Sequence, residues 1–135
     1  MPYTPEQMFD LVADIEAYPE FLPWCVGCRI TDRKGDVIFG DLMVGFMAFR
    51  ESFVSKVTLS RPDQVEVAYI DGPFRYLTNR WRFLPVEGGA KTNVDFFIDF
   101  EFRSRILEAV AAKFFNEAVM RMVNAFETRA QQIYG

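Results

Sequence analysis

There is no histidine in this chain of 135 residues. That absence removes the commonest general base and the commonest metal ligand together, and with them Ser-His-Asp and Cys-His catalysis within the chain. Cysteine is scarce: Cys25 and Cys28 are the whole complement. Their spacing is C-x-x-C, but a redox pair needs a helix N-terminus. These two residues open a predicted strand, where positions three apart point to opposite faces. Zinc would need two more good ligands, so no metal site is expected. No apolar run approaches the roughly 20 residues of a membrane span, and no signal peptide is visible. Walker, dinucleotide-fingerprint and metal-cluster motifs are missing too. Positive charge is in deficit, with a formal net charge of −4 and a pI near 4.9, which argues against general nucleic-acid binding and against DNA as a partner. The expectation is a single domain over residues 1–135, cytoplasmic or peripheral to a membrane surface.

What the chain does have is apolar bulk. Half of its residues are apolar and fifteen are Phe, a large, rigid ring with no polar handle that suits a core or the wall of an apolar cavity. The organising stretch is Ser104 to Tyr134. Ser104 can cap a helix there, and neither Pro nor Gly interrupts it before Gly135. Leu107, Val110, Ala111, Phe114, Ala118, Met122, Phe126, Ala130 and Ile133 recur every three or four residues and share a face. Arg105, Glu108, Lys113, Glu117, Arg121 and Glu127 cover the rest. Such a helix is about 45 Å long and needs a broad partner.

The rest of the chain supplies one. Thr4-Pro5-Glu6-Gln7 reads as a capped helix start with a capping box, and the helix ends near Asp14. Between Ile15 and Trp24, prolines at 19 and 23 allow only a short helix or turns. From Cys25 the period changes to two. Val26, Cys28 and Ile30 alternate with polar neighbours, and further strands are predicted over Val37–Val44, with a bulge at Gly40, then Phe49–Leu59, Val65–Ile70, Tyr76–Leu84 and Lys91–Phe102. Gly45-Phe46-Met47 is expected to turn the chain.

The last hairpin tests the reading. A two-residue turn at Gly88-Gly89 pairs positions whose numbers sum to about 177, which sets Trp81 against Phe96, Phe83 against Val94, Asn79 against Ile98 and Leu77 against Phe100. On the other face Arg82 meets Asp95 and Thr78 meets Asp99. Apolar meets apolar and charge meets countercharge. A turn at Pro62 likewise aligns Ser55 with Tyr69 and Val57 with Val67. The fold class is α+β, an antiparallel meander with one apolar face under the C-terminal helix.

Three positions of that inward face are polar: Glu51, Ser55 and Asn79. Either they bond each other, or Glu51 reaches solvent at the strand end, or Asn79, Ser55 or a protonated Glu51 donates to a ligand carbonyl in an apolar pocket. Tyr18, Phe21, Leu22 and Trp24 either plug one end of the core or form a lid over a cavity mouth. Arg75, Arg80, Arg82, Arg103 and Arg105 lie close to Asp95, Asp99 and Glu101, so a self-neutralising outer face is expected, with an anion contact as the alternative.

Several blocks together resemble a known family. Val12-Ala13-Asp14 with Tyr18-Pro19-Glu20-Phe21-Leu22-Pro23-Trp24-Cys25 is similar to the signature of coenzyme Q-binding START-domain proteins, a group labelled polyketide cyclase/dehydrase-like that includes RatA-type ribosome-association toxins. Arg50-Glu51-Ser52-Phe53, Gly72-Pro73-Phe74-Arg75, Asn79-Arg80-Trp81-Arg82-Phe83 and Phe100-Glu101-Phe102-Arg103-Ser104 resemble further blocks in the same order. The resemblance implies a helix-grip (START/Bet v 1-like) fold, a curved sheet gripping the long helix around an apolar cavity. The family begins with a strand before its first helix, and this sequence opens almost at that helix, which would leave one sheet edge unpaired and favour lower stability or edge-to-edge dimers. The implied function is a non-catalytic carrier or chaperone for a polyprenyl quinone or other lipid supporting respiration. Ubiquinone would be a bound ligand rather than a cofactor, with contact to the inner membrane. The alternatives are a RatA-type factor on the 50S ribosomal subunit, and a cyclase/dehydrase-type enzyme using a buried carboxylate such as Glu51. Expected ligand contacts are Glu51, Phe53, Ser55, Tyr69, Asn79, Trp81, Phe96, Ile98, Phe100, Phe114, Ala118 and Met122, under a lid of Tyr18, Phe21, Leu22 and Trp24.

Overall fold

The computed structural model describes residues 2–22, 24–46 and 49–135. Helix α1 spans Pro5–Ala13 and begins as its sequence dictates: the Gln7 amide donates to Thr4 Oγ1 at 3.2 Å, and the Thr4 amide donates to Gln7 Oε1 at 3.0 Å. A cap of this kind contributes about 1 kcal/mol. One 3₁₀ turn, Ile15–Ala17, leads into the short α2, Tyr18–Phe21. Six strands follow: β1 Cys25–Lys34, β2 Val37–Phe46, β3 Phe49–Ser60, β4 Gln64–Asp71, β5 Phe74–Val86 and β6 Lys91–Phe102. They form one antiparallel sheet in sequence order, closed over by α3, Arg105–Tyr134. This is the helix-grip arrangement. Among the described residues no strand precedes α1, so β6 pairs with β5 alone and its outer edge stays open. Nearby, Thr92 Oγ1 donates to the Tyr3 carbonyl at 2.7 Å, holding the residues before α1 beside the start of that edge strand.

The register of β5 and β6 is the one charge and hydropathy require. Trp81 pairs with Phe96, Phe83 with Val94, Asn79 with Ile98, Leu77 with Phe100, Arg82 with Asp95 and Thr78 with Asp99. The connection is longer than a two-residue turn: a 3₁₀ turn at Glu87–Gly89 followed by Ala90. Lengthening the loop by one residue on each side leaves the pairing sum unchanged. Ser55 likewise pairs with Tyr69, and Val57 with Val67. Strand β2 runs on through Gly45 and Phe46, so the expected turn there is displaced, and its remaining residue, Met47, lies outside the described residues.

Three expectations fail for one reason, the bulges in β1. The ladder slips between Cys25 and Gly27 and again between Ile30 and Asp32, while β2 at Gly40 is regular. The extra residue sits opposite Gly40, not on it. Gly40 is instead small because Ile15 packs there: a Cβ would lie 3.0 Å from Ile15 Cδ1. The first bulge makes Val26 the extra residue, 47% exposed, rather than an inward one. Cys25 then faces Val44 and Cys28 faces Leu42, two positions apart on β2, so both thiols lie on the same face of the sheet.

The core is built at one end of the grip. Val12, Val57, Val65 and Phe83 are fully buried, and Phe9 meets Phe83 edge-on at 6.1 Å. Each such side chain contributes roughly 1.5–3 kcal/mol of burial. The α3 residues that reach this core step by four, Met122, Phe126, Ala130 and Tyr134, with Ala125 beside them. Each step advances the face by about 40°, so the stripe winds around the helix. That drift leaves Ile133 51% exposed, against the expectation. Tyr134 occupies the buried position, its ring 5.8 Å from that of Tyr3 and its hydroxyl donating to the Gln7 carbonyl at 2.9 Å.

Candidate functional site

The start of α3 is pinned to the sheet. The Leu107 amide donates to Ser104 Oγ at 3.3 Å, Glu108 Oε2 accepts from the Phe102 amide at 2.8 Å, and Arg103 Nε donates to the Phe74 carbonyl at 2.9 Å. At the other end Phe126 and Ala130 are buried in the core. Held at both ends, the helix spans a cavity of about 280 Å³ under its N-terminal half.

The sheet side of the cavity consists of Val44, Gly45, Glu51, Phe53, Phe74, Leu77, Phe96, Ile98, Phe100 and Phe102. The helix side consists of Leu107, Val110, Ala111, Phe114, Phe115, Ala118, Val119 and Met122, and Trp24 completes it. Phe74 organises the wall, with the rings of Phe102, Phe53, Tyr69 and Phe100 at 4.6, 5.4, 5.5 and 5.7 Å. Gly72 makes that packing possible. Its φ of +147° suits glycine, and a Cβ there would lie 2.5 Å from Phe53 Cβ. At the core end the space is shut by Trp81, 4.6 Å from Phe96 and 5.2 Å from Phe126 between ring centroids.

Eight of the twelve residues expected to touch a ligand line this cavity: Glu51, Phe53, Phe96, Ile98, Phe100, Phe114, Ala118 and Met122. Ser55, Tyr69, Asn79 and Trp81 do not. Asn79 Nδ2 donates to the Phe97 carbonyl at 2.9 Å, and its Oδ1 accepts from Trp81 Nε1 at 3.2 Å, so both polar groups are committed to each other and to β6. Tyr69 faces Phe74 and its hydroxyl accepts from the Phe74 amide at 3.1 Å. Ser55 is fully buried outside the cavity, its hydroxyl without a partner.

Of the four candidate lid residues only Trp24 reaches the cavity. Tyr18 and Phe21 pack edge-on against Phe126 at 5.7 and 5.2 Å, the Tyr18 hydroxyl donates to the Val12 carbonyl, and Leu22 is buried in the core. These three plug the core, because each has a better apolar partner there than a cavity mouth would give. Phe74 was missed by strict alternation, which points it outward. A ladder slip between Phe74 and Tyr76 turns it in. Phe102 continues the inward parity of Ile98 and Phe100, so extending that pattern would have found it.

The chemistry of the site is sparse. Among the described residues Glu51 is the one charged side chain on the wall. The thiols are not activated: burial first, then the neighbouring Cys25, Glu16, Asp41 and Asp14 charges, pushes Cys28 up to about 11, and burial also raises Cys25. An activated thiol needs the opposite shift. Among the described residues no group of three His, Cys, Asp or Glu side chains is arranged to hold a metal ion. The outer arginines find partners, with Arg75 Nε 3.8 Å from Glu101 Oε1 and the Arg80 guanidinium 5.6 Å from the Phe97 ring centre. No helix of the described residues is long and apolar enough to cross a membrane.

Known proteins share this architecture. A START superfamily protein from Mycobacterium smegmatis superposes with a TM-score of 0.83 at 23% identity, over 98% of this chain and 93% of that one. In sequence, the ribosome association toxin RatA of Rickettsia prowazekii is 36% identical over 98% of this chain and 92% of its own length. The mitochondrial coenzyme Q-binding protein COQ10 homolog B of Xenopus laevis is 38% identical over 98% of this chain, which spans 56% of that protein. The family model described as polyketide cyclase / dehydrase and lipid transport matches residues 1–127. A six-stranded grip, an apolar cavity under the long helix and a match over nearly the whole length agree: this chain belongs to the polyketide cyclase / dehydrase and lipid transport family.

Proposed function

We propose that the protein is a non-catalytic carrier or chaperone for a hydrophobic small molecule, a polyprenyl quinone such as ubiquinone or a lipid of similar form. The observation that carries this is the apolar cavity between the sheet and the N-terminal half of α3, walled by aromatic and aliphatic side chains. At about 280 Å³ it lies at the lower edge of the roughly 300–1,000 Å³ of small-molecule sites. It suits a ring headgroup and the first part of a tail, the remainder passing out through the opening. A carrier of this kind would work in the cytoplasm and at the inner-membrane surface. A cyclase/dehydrase-type role gains little support from a wall with one carboxylate and no second acid–base group beside it. The test is native mass spectrometry and lipid extraction of protein purified from cells. Co-purification of an apolar ligand that quinone displaces supports the reading, whereas repeated recovery of empty protein that no quinone titrates would sink it.

A second reading rests on the relatives named as ribosome association toxins, among them the Rickettsia protein at 36% identity. Docking on the 50S subunit would have to use a local patch, since the net charge is −4. Sedimentation in low-salt gradients decides it: migration with 50S particles supports this role, and absence from those fractions removes it.

A further inference from the structure

The cavity wall offers so little polar chemistry that what it does offer is selective. Alternation along β3 puts Glu51 on the same face as Phe53, opposite Val44 at the far end of the β2–β3 hairpin, and all three line the cavity. No Lys or Arg is among the lining residues, and among the described residues no hydrogen bond or ion pair engages the Glu51 carboxylate. The Gly45 amide, also on the wall, is spent on the Trp24 carbonyl at 2.8 Å.

A carboxylate presents acceptors only. A quinone head also presents acceptors only, so seating it against Glu51 strips water from the carboxylate and returns no hydrogen bond. A hydroxyl on the same ring donates. The remaining polar hydrogen among the lining side chains is the Trp24 indole N–H, which serves a carbonyl oxygen and a hydroxyl oxygen alike. Discrimination therefore falls to Glu51.

We propose that the cavity selects apolar ligands whose polar head carries a hydroxyl donor, a hydroquinone or phenol rather than the oxidised quinone, with Glu51 as the acceptor. This rests on the ligand-binding reading above and narrows it to one redox form. A charge-assisted hydrogen bond of this kind is worth about tenfold or more in affinity. Tenfold tighter binding of the reduced form raises the potential of the bound two-electron couple by about 30 mV. The protein would then hold its ligand as the reduced, hydroxylated species.

Decylubiquinol, kept reduced under anaerobic conditions, and decylubiquinone are the probes, each titrated calorimetrically into the intact protein. The expected result is about tenfold tighter binding of the quinol. Glu51→Gln, which can donate as well as accept, should narrow the gap to within about threefold. Glu51→Leu should lose the quinol advantage while keeping or tightening quinone binding. Thermal melts of both variants verify the fold, and the near-isosteric Gln variant covers the case in which Leu disturbs it. Equal binding of the two forms by the unaltered protein, or a gap that persists in Glu51→Gln, overturns the inference and leaves the carrier reading standing. Binding of neither form overturns both.

Discussion

The two halves of α3 carry the same apolar periodicity and meet different fates. Toward its C-terminus, Phe126 sits within 5.2–5.7 Å of the rings of Trp81, Phe21 and Tyr18, and Ala130 has no exposure at all. Toward its N-terminus, Leu107, Val110, Ala111, Phe114 and Ala118 face the sheet across a cavity. The difference lies in what fills the gap. Helix α1 and the Tyr18–Leu22 segment insert side chains between helix and sheet at the packed end, and among the described residues no helix does so at the other. An apolar stripe therefore predicts a face turned inward. It does not predict contact, which depends on a third element arriving between the two layers.

The sharpest break of this contrast is to empty the packed end. Phe126→Ala should cost about 3–5 kcal/mol, whereas Phe114→Ala, which enlarges a space already present, should cost less than about 2 kcal/mol. Urea titration of both variants measures the difference. Equal costs would mean that the cavity end is as tightly packed as the core.

Filling reverses the test. Ala118→Phe adds a ring where there is room, so stability should change by less than about 1.5 kcal/mol while affinity for an apolar ligand falls about tenfold or more. Ala130→Phe, at a position with no exposure, should overpack and cost about 1–3 kcal/mol. Melting curves with a ligand displacement titration check both.

What sequence could show follows the same line. Capping residues, strand register and the position of α3 were legible, because each rests on local pairing: Thr4 with Gln7, Arg82 with Asp95, Trp81 with Phe96. Parity across bulges was not. One extra residue at Val26 brings Cys25 and Cys28 onto one face, and one near Arg75 turns Phe74 into the cavity, yet neither residue type advertises a bulge. Alternation also assigns a side chain to a face without saying where along the strand the helix closes down. That is why Ser55 and Asn79, inward-facing as expected, lie outside the cavity while Glu51, on the same face, lines it.

The packed end should also answer to alkali. Burial, followed by the charges of Cys28, Cys25 and Asp14, raises the Tyr18 phenol well above its ordinary value, and Cys28 is pushed up from 9.0 to about 11. The folded protein holds these protons more firmly than the unfolded chain does. The Cys28 contribution is thus intact below pH 9.0 and is lost as pH rises through about 11, while that of Tyr18 is intact up to its ordinary value of 10.0 and declines beyond it. Unfolding midpoints should be flat from about pH 7 to 9 and fall beyond, and Cys28→Ala should lessen the fall. An unchanged midpoint at about pH 10.5 would argue that the thiol and phenol are less buried than the contacts of Tyr18 with Phe21 and Phe126 require.

The smallest effect is the most discriminating, because it concerns the boundary between the two regions. Ser55 is fully buried with an unpartnered hydroxyl, and it pairs with Gly40, whose missing side chain makes room for Ile15 from the packed end. Removing a buried hydroxyl that bonds to nothing relieves its desolvation cost, so Ser55→Ala should be neutral or stabilise by up to about 1 kcal/mol, a rise in Tm of roughly 2–6 °C. Ligand affinity should stay within about twofold, since the wall formed by Phe53, Phe96 and Phe114 does not include position 55. If Ser55→Ala instead weakens binding about tenfold or more, the hydroxyl serves the ligand. The cavity would then extend beneath Ile15, and the division of α3 into a packed half and an open half would have to be redrawn.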